Sequence, residues 1–197
     1  STRTYVTAYA AHVLGLVGSI SDYTDELKEK GYKRSETTGI SGAEAAFEEY
    51  LRGSDGKRVT SVNSDGKITG EYYKVEPRSG YTVELTLDLD LQQAVEDTLA
   101  AKVAQLNEKD GLDSRGAAAA VIKVGTGEIL ALASCPTYDL STYGQDFTEL
   151  SADPAKPFQN RATSTPYAPG STLKPATAVA ALESGVTTTT ETIFDPG

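Results

Sequence analysis

The sequence predicts an α+β fold made of two small domains. Asp-Gly pairs lie between short runs in which apolar and polar residues alternate, which is the pattern of β-hairpins. Farther along the 197-residue chain, an apolar stripe at helical spacing indicates a long helix, and two more strand-like runs flank a Gly-Thr-Gly turn. Since hairpins give antiparallel strands, we expect small antiparallel sheets with helices beside them.

The first domain begins with short elements. Residues 13–20 predict an apolar, glycine-containing strand or loop, and residues 22–30 predict a short charged helix. Residues 42–51 predict a second helix. Its packing side chains would be Ala45, Ala46, Phe47, Tyr50 and Leu51.

Two hairpins are predicted to follow and to build a small sheet. Asp55-Gly56 and Asp65-Gly66 are both turn signals, and residues 58–63 and 68–75 are the strands that such turns would join. A Ser-x-x-Lys spacing at each of these turns is therefore expected to have no catalytic meaning.

A Pro-Arg-Ser-Gly stretch at residues 77–80 interrupts the strand pattern, and alternation resumes over residues 81–87. We interpret this stretch as a hinge between domains. The predicted domains are therefore residues 1–78 and residues 79–197.

After the alternating run of residues 81–87, the second domain is predicted to continue with a helix capped by Asp88 or Asp90. Its apolar stripe consists of Leu91, Val95, Leu99, Val103 and Leu106. Residues 117–124 and 128–134 then predict a hairpin of the core sheet, and the polar stretch from residue 138 to 157 predicts a long surface loop.

Composition limits the possible ligands. The net charge is −10 with only 18 Lys and Arg, which argues against nucleic acid as a partner because such binding depends on clustered basic side chains. The single cysteine, Cys135, excludes an internal disulfide and cannot form a zinc site with the single histidine. We therefore expect no metal and no cofactor, and we interpret Cys135 as a packed free thiol.

Ser171 and Lys174 lie three positions apart, directly after Pro169-Gly170 and before an apolar helix candidate. A serine hydroxyl needs a neighbouring base, and the oxyanion formed by its attack needs N–H donors. Positions i and i+3 share one face of a helix, and a helix N-terminus offers free N–H groups. Ser171 is thus the candidate nucleophile and Lys174 the candidate base.

The residues around Ser171 closely resemble the transpeptidase domain of penicillin-binding proteins. The matching segments are Asn160-Arg161-Ala162, residues 167–175, residues 119–134 and residues 136–139. Leu173 stands where the family usually has Phe, a packing change that leaves the chemistry untouched. Upstream, residues 10–18 and 39–53 resemble the non-catalytic pedestal, or dimerisation, domain of the class B members.

The resemblance implies a small pedestal domain with hairpins and short helices, followed by the first part of a penicillin-binding, serine β-lactamase-like transpeptidase domain. It implies a peptidoglycan D,D-transpeptidase in which Ser171 attacks the D-Ala-D-Ala amide of a stem peptide, and in which β-lactam antibiotics acylate the same serine. It also implies an N-terminal transmembrane anchor and work outside the cytoplasmic membrane, so we expect this chain to be part of a longer protein.

The family's second and third signatures, Ser-x-Asn and Lys-Thr-Gly, are expected after the nucleophile and do not occur there in these 197 residues. We therefore expect this chain alone to be close to inactive. Two other functions stay open. One is a non-enzymatic module whose pedestal binds cell-wall synthesis proteins or a second copy of itself, and the other is a serine β-lactamase or β-lactam sensor.

Three tempting features are expected to be structural. His12, the only histidine, lies in the pedestal motif and is interpreted as a packed side chain. Ser61-Val62-Asn63 matches Ser-x-Asn but precedes the nucleophile, and Gly125-Thr126-Gly127 is interpreted as a turn.

Overall fold

The computed structural model describes residues 3–109, 116–192 and 194. The chain divides into two compact units, Ser1–Ser164 and Thr165–Gly197. Among the described residues, the elements of the first unit are, in chain order, α1 Ala11–Leu14, β1 Val17–Ser19, α2 Asp25–Glu29, β2 Thr37–Gly39, α3 Gly42–Ala46, α4 Glu48–Leu51, β3 Lys57–Val62, β4 Ile68–Val75, α5 Leu89–Lys109, β5 Ala117–Ile122, β6 Ile129–Cys135 and α6 Tyr143–Ala152. The second unit contains a 3-10 turn, Gly170–Leu173, and α7, Lys174–Glu183.

The strands form antiparallel pairs, β1 with β2, β3 with β4 and β5 with β6. The expected mixture of short helices and small antiparallel sheets is therefore confirmed. Residues 13–20, which predicted a strand or loop, contain the end of α1 and all of β1.

The two helices predicted near the N-terminus both form. The helix predicted over residues 22–30 is α2, and Thr24 Oγ1 accepts the Leu27 N–H at 3.3 Å to cap its first turn. The helix predicted over residues 42–51 divides into α3 and α4, because the backbone of Phe47 between them has φ −112° and ψ 17°.

The predicted hairpin at Asp65-Gly66 is confirmed. Gly66 has φ 77°, and Asn63 Oδ1 accepts the N–H groups of Asp65 and Lys67 at 3.1 and 2.8 Å. Left-handed glycine and an Asn side chain bonded to following N–H groups are what a tight turn requires. This turn connects β3 to β4.

The predicted hairpin turn at Asp55-Gly56 is wrong. Ser54 forms an antiparallel bridge with Arg78, and Lys57 at the start of β3 pairs with Val75. Both sides of this Asp-Gly pair thus lie along the same partner segment, so the chain runs onward instead of reversing. Of the two hairpins predicted for the first domain, only the one at Asp65-Gly66 therefore forms.

The segment over residues 81–87, where strand-like alternation resumes, forms no strand, but its end covers one edge of β6. Thr86 Oγ1 donates to the Ile129 carbonyl at 2.7 Å, and the Asp88 N–H donates to the Leu130 carbonyl at 2.9 Å. Backbone groups on the side of β6 opposite β5 are bonded in this way.

Asp88 is the cap of α5, since its Oδ1 accepts the Leu91 N–H at 3.0 Å. The predicted apolar stripe of this helix is half-buried along its whole length. The buried residues of α5 are instead Gln92 and Glu96.

The loop predicted between residues 138 and 157 is wrong, because this stretch contains α6. Its aromatic side chains Tyr143 and Phe147 lie four residues apart and both contact the ring of Phe158, at centroid distances of 5.3 and 5.8 Å. Tyr138 packs edge-on to the same ring. The aromatic contacts, which the polar composition of the stretch concealed, stabilise the helix.

Candidate active site

Ser171 lies in the 3-10 turn of the second unit, and Lys174 is the first residue of α7. Gly170, with φ 53°, has the left-handed backbone that brings the chain into the turn. The Lys174 N–H donates to the Ser171 carbonyl, which closes one 3-10 turn between the two residues. Because a 3-10 helix has about three residues per turn, side chains at i and i+3 lie almost directly above each other.

Pro175 explains why the chain makes a 3-10 turn here. An α-helix would bond the Ser171 carbonyl to the N–H of residue 175, and proline has no N–H. The Lys174 N–H takes that place. The sequence therefore determines a tight turn with the hydroxyl and the ammonium group on one face.

Ser171 and Lys174 are both exposed to solvent in this unit. Within the part of the chain that the structure describes, no hydrogen bond joins Ser171 Oγ to Lys174 Nζ. Their roles as nucleophile and base stay predictions.

The Asn160-Arg161-Ala162 motif belongs to the first unit and is held by β6. Ser134 Oγ accepts the Ala162 N–H at 3.2 Å and lies 3.4 Å from Asn160 Oδ1. Arg161 is 7% exposed and donates to the backbone carbonyls of residues 155 and 156. The motif thus fixes the backbone at the end of the first unit.

Gly116 gives Arg161 the space that it occupies. A Cβ at this glycine would lie 2.3 Å from Arg161 Nε and 2.5 Å from the Cys135 carbonyl oxygen. Cys135 itself is a free thiol of intermediate exposure, and burial raises its pKa. A raised pKa disfavours the reactive thiolate, in agreement with a packing role.

His12 is a packed histidine rather than a base. Its Nε2 donates to the Pro157 carbonyl at 2.7 Å, since a carbonyl can only accept, and its ring packs edge-on to Tyr138 with a centroid distance of 5.1 Å. Burial lowers the pKa of His12 from its ordinary 6.5, and the positive charge of Arg161 lowers it further, while the bond to Pro157 opposes both. The structural interpretation of this residue is confirmed.

Lower pH should destabilise the protein through His12. Its folded-state pKa lies below 6.5, so at pH values just below 6.5 the unfolded chain binds a proton that the folded chain does not. The free energy of unfolding should therefore fall between pH 7 and pH 5.5, by up to about 1.4 kcal/mol per pH unit. Urea denaturation across this range would measure the slope. His12→Gln, whose amide can still donate, should remove most of it, and an unchanged slope in that variant would contradict the assignment.

The other two tempting features are structural as expected. Ser61 lies within β3, and Asn63 accepts hydrogen bonds in the turn that follows. Gly125 and Gly127 have φ values of 91° and 77°, and the Gly127 N–H donates to the Lys123 carbonyl at 3.0 Å. The segment of residues 61–63 thus borders the turn between β3 and β4, and the segment of residues 125–127 lies in the turn between β5 and β6.

Two protein-family models match the chain. The penicillin-binding protein dimerisation domain matches residues 1–85, and the penicillin-binding protein transpeptidase domain matches residues 117–197. The chain belongs to the penicillin-binding proteins. The order of the two matched domains along the chain is the order that the sequence motifs predicted, so the resemblance stated from those motifs is confirmed.

Relatives within this family cover nearly the whole chain. The peptidoglycan D,D-transpeptidase MrdA of Escherichia coli strain K12 is 37% identical over 196 residues, which are 94% of this chain and 29% of the relative. A similar solved structure is that of a peptidoglycan synthase complex, described for its structural coordination of polymerization and crosslinking. It has 36% identity and a TM-score of 0.80, and the match covers 96% of this chain and 34% of that chain.

A second similar solved structure is the complex between penicillin-binding protein PBP2 and MreC from Helicobacter pylori. It has 28% identity and a TM-score of 0.74, with 96% of this chain and 35% of that chain covered. The chain therefore spans about a third of the length of the relatives it matches. Its likeness to them confirms the fold class, an α+β pedestal with short helices and small antiparallel sheets followed by the start of a transpeptidase domain.

Proposed function

We propose that the protein is a peptidoglycan D,D-transpeptidase with Ser171 as nucleophile and Lys174 as base. The observation that carries this proposal is the turn that begins α7, where the hydroxyl and the amine lie one 3-10 turn apart inside the region that matches the transpeptidase family. We further propose that residues 1–78 form the pedestal and residues 79–197 the first part of the catalytic domain.

The chemistry follows from these two side chains. Lys174 Nζ, in its neutral form, takes the proton of Ser171 Oγ as that oxygen attacks the carbonyl carbon of the penultimate D-Ala of a stem peptide. The amide C–N bond then breaks, and the terminal D-Ala leaves with the proton from Lys174. An amine of a second stem peptide attacks the resulting ester, which forms the cross-link and returns the proton to Ser171. A β-lactam ring contains a similar amide, so its opening leaves an ester on Ser171.

The test is mass spectrometry after treatment with penicillin, on this 197-residue chain and on a longer chain that carries the whole transpeptidase domain. We expect an adduct on the peptide that contains Ser171 in the longer chain. We expect almost none in the short chain, because it lacks the Ser-x-Asn and Lys-Thr-Gly groups after Ser171 and such sites lose most of their rate when members are removed. No adduct in either chain would contradict the proposed function, and equal labelling of both would contradict the need for those groups.

The proposed site of action is the extracytoplasmic face of the cell membrane, where peptidoglycan is cross-linked. No helix in the described ranges is both long and apolar enough to cross a membrane. The homologues' role in cell-wall synthesis supports this location.

A second function of the pedestal is the binding of other cell-wall proteins. Similar solved structures are a peptidoglycan synthase complex and a complex of PBP2 with MreC. The β3–β4 hairpin offers a surface for such a partner, since Val62, Ile68 and Tyr72 are each about 60% exposed. A cell-wall partner should be retained by the unmodified chain but not by a variant in which these three residues are changed to Ser. That result would support this role.

A further inference from the structure

Two polar side chains are buried on the face of α5 that packs against β6. Gln92 is fully buried and Glu96 is 7% exposed, and their spacing of four residues places them on the same face of the helix. Burying an amide and a carboxyl group is unfavourable unless their hydrogen bonds are replaced inside the protein. A buried polar pair in this position, beside a half-buried apolar stripe, therefore requires a structural reason.

Gln92 takes the place of a neighbouring strand. Its Oε1 accepts the Leu132 N–H at 2.7 Å, and its Nε2 donates to the Leu132 carbonyl at 3.0 Å. Leu132 lies in the middle of β6, whose other side pairs with β5. The side-chain amide thus bonds both backbone groups of this residue as a peptide group of a third strand would.

Glu96 connects this amide to the N-terminal segment of the chain. Its Oε1 accepts Gln92 Nε2 at 2.7 Å and the Ala10 N–H at 2.8 Å. Ala10 is buried and has φ 62°, a left-handed backbone that is unfavourable for alanine. Contacts around Ala10 must therefore hold this conformation, and the bond to Glu96 is one of them.

The two carboxyl oxygens of Glu96 are not equivalent. Oε1 makes both hydrogen bonds, whereas Oε2 is buried and, among the described residues, has no hydrogen-bond partner. A side chain that keeps one carbonyl oxygen in this position could therefore make the same two bonds.

The segment of residues 10–12 is also held at its other end. The His12 carbonyl accepts Asn160 Nδ2 at 3.4 Å, and Asn160 Oδ1 lies 3.4 Å from Ser134 Oγ at the end of β6. One strand therefore positions both ends of the segment, through Gln92 and Glu96 at Ala10 and through Ser134 and Asn160 at His12.

We propose that Gln92 and Glu96 form a joint that fixes the pedestal segment of residues 10–12 against β6, and that Glu96 is a positioning residue for acylation. The first part of the proposal stands on the contacts within the first unit. The second part rests on the proposed function: β6 also holds the Ala162 N–H, nine residues before Ser171 along the chain.

Hydrogen exchange of this chain tests the joint directly. Removing the acceptor in Glu96→Ala should speed exchange of the Ala10 amide by about tenfold, the effect of losing a buried hydrogen bond. Glu96→Gln should keep the exchange within about twofold, because its carbonyl oxygen can replace Oε1. Glu108→Ala, which removes an exposed carboxylate from the same helix, is the matched control and should leave Ala10 unaffected.

The joint is rejected if the Ala10 amide exchanges at an unchanged rate in Glu96→Ala. It is also rejected if Glu108→Ala accelerates exchange of the Ala10 amide equally. If amide hydrogens exchange fast along the whole chain of Glu96→Ala, the Glu96→Gln variant is the deciding measurement. Protection of the Ala10 amide that is retained in Glu96→Gln supports the joint, and protection that is lost overturns it.

Acylation of the longer chain by a fluorescent penicillin tests the positioning role. Glu96→Ala should slow the first-order acylation step about tenfold without changing the dissociation constant of the initial complex, and Glu96→Gln should restore the rate. An unchanged step in Glu96→Ala overturns the positioning role. If the unmodified longer chain is not acylated at all, the proposed function fails instead, and the exchange result still stands.

Discussion

Ser171→Ala should abolish acylation of the longer chain by penicillin, with a loss of at least about a thousandfold in rate. The ester forms on Ser171 Oγ in the proposed mechanism, and no other group occupies the same place in the turn. Intact mass spectrometry would measure the adduct over time. An adduct of undiminished yield in this variant would reject Ser171 as the nucleophile.

The chain provides its own control, since Ser64 also has a lysine three residues later. Ser64 follows Asn63 in the turn between β3 and β4, where the helical stacking proposed for Ser171 is absent. Ser64→Ala should therefore leave acylation unchanged. A comparable loss in this variant would show that the assay reports folding rather than chemistry.

Lys174→Arg separates a base from a positive charge. Arginine keeps the charge but stays protonated at any pH at which the protein is folded, so it cannot take a proton from Ser171. We expect Lys174→Arg to lose as much acylation rate as Lys174→Ala. A rate close to that of the unmodified chain would assign Lys174 an electrostatic role instead.

Gly15→Ala should be strongly destabilising, lowering the free energy of unfolding by roughly 3–5 kcal/mol. Gly15 has φ 79°, and a Cβ built there would lie 2.0 Å from the Ser41 carbonyl oxygen. Gly42 lies on the other side of the same close approach, 2.7 Å from Gly15 Cα when given a Cβ. Both neighbours are backbone atoms, which cannot move aside as a flexible side chain can.

Gly31→Ala is the matched control for Gly15→Ala. Gly31 has almost the same φ, 78°, but a Cβ there would have no atom within 4 Å. The left-handed backbone alone should cost about 1 kcal/mol. Urea denaturation followed by circular dichroism would measure both variants, and similar losses in the two would show that the close approach of residues 15 and 41 does not contribute.

Features that depend on residues close together in the sequence were predictable. The Asp65-Gly66 turn and the Asp88 cap each depend on side chains within four residues. The spacing of three positions between Ser171 and Lys174 is also read directly from the local sequence. Local sequence is sufficient here because the bonds that define these features connect near neighbours.

Errors arose where the pairing partner lies far along the chain. Asp55-Gly56 has the composition of a hairpin turn, yet Ser54 and Lys57 both pair with residues 75–78, and this contact overrides the local preference. Residues 138–157 read as a loop, although α6 forms because its aromatic side chains reach Phe158. Neither contact can be derived from the composition of the segment itself.

Motifs and short-range turns identify the family, the order of the two domains and the candidate nucleophile, because each is formed by neighbouring residues. Which residues are buried on α5 depends instead on contacts between distant parts of the chain. Periodicity favoured an apolar stripe, but Gln92 and Glu96 occupy the interior because their hydrogen bonds with Leu132 and Ala10 replace those lost from water. Such partners are separated by 40 and 86 positions in the chain, a distance over which a single sequence carries no pairing signal.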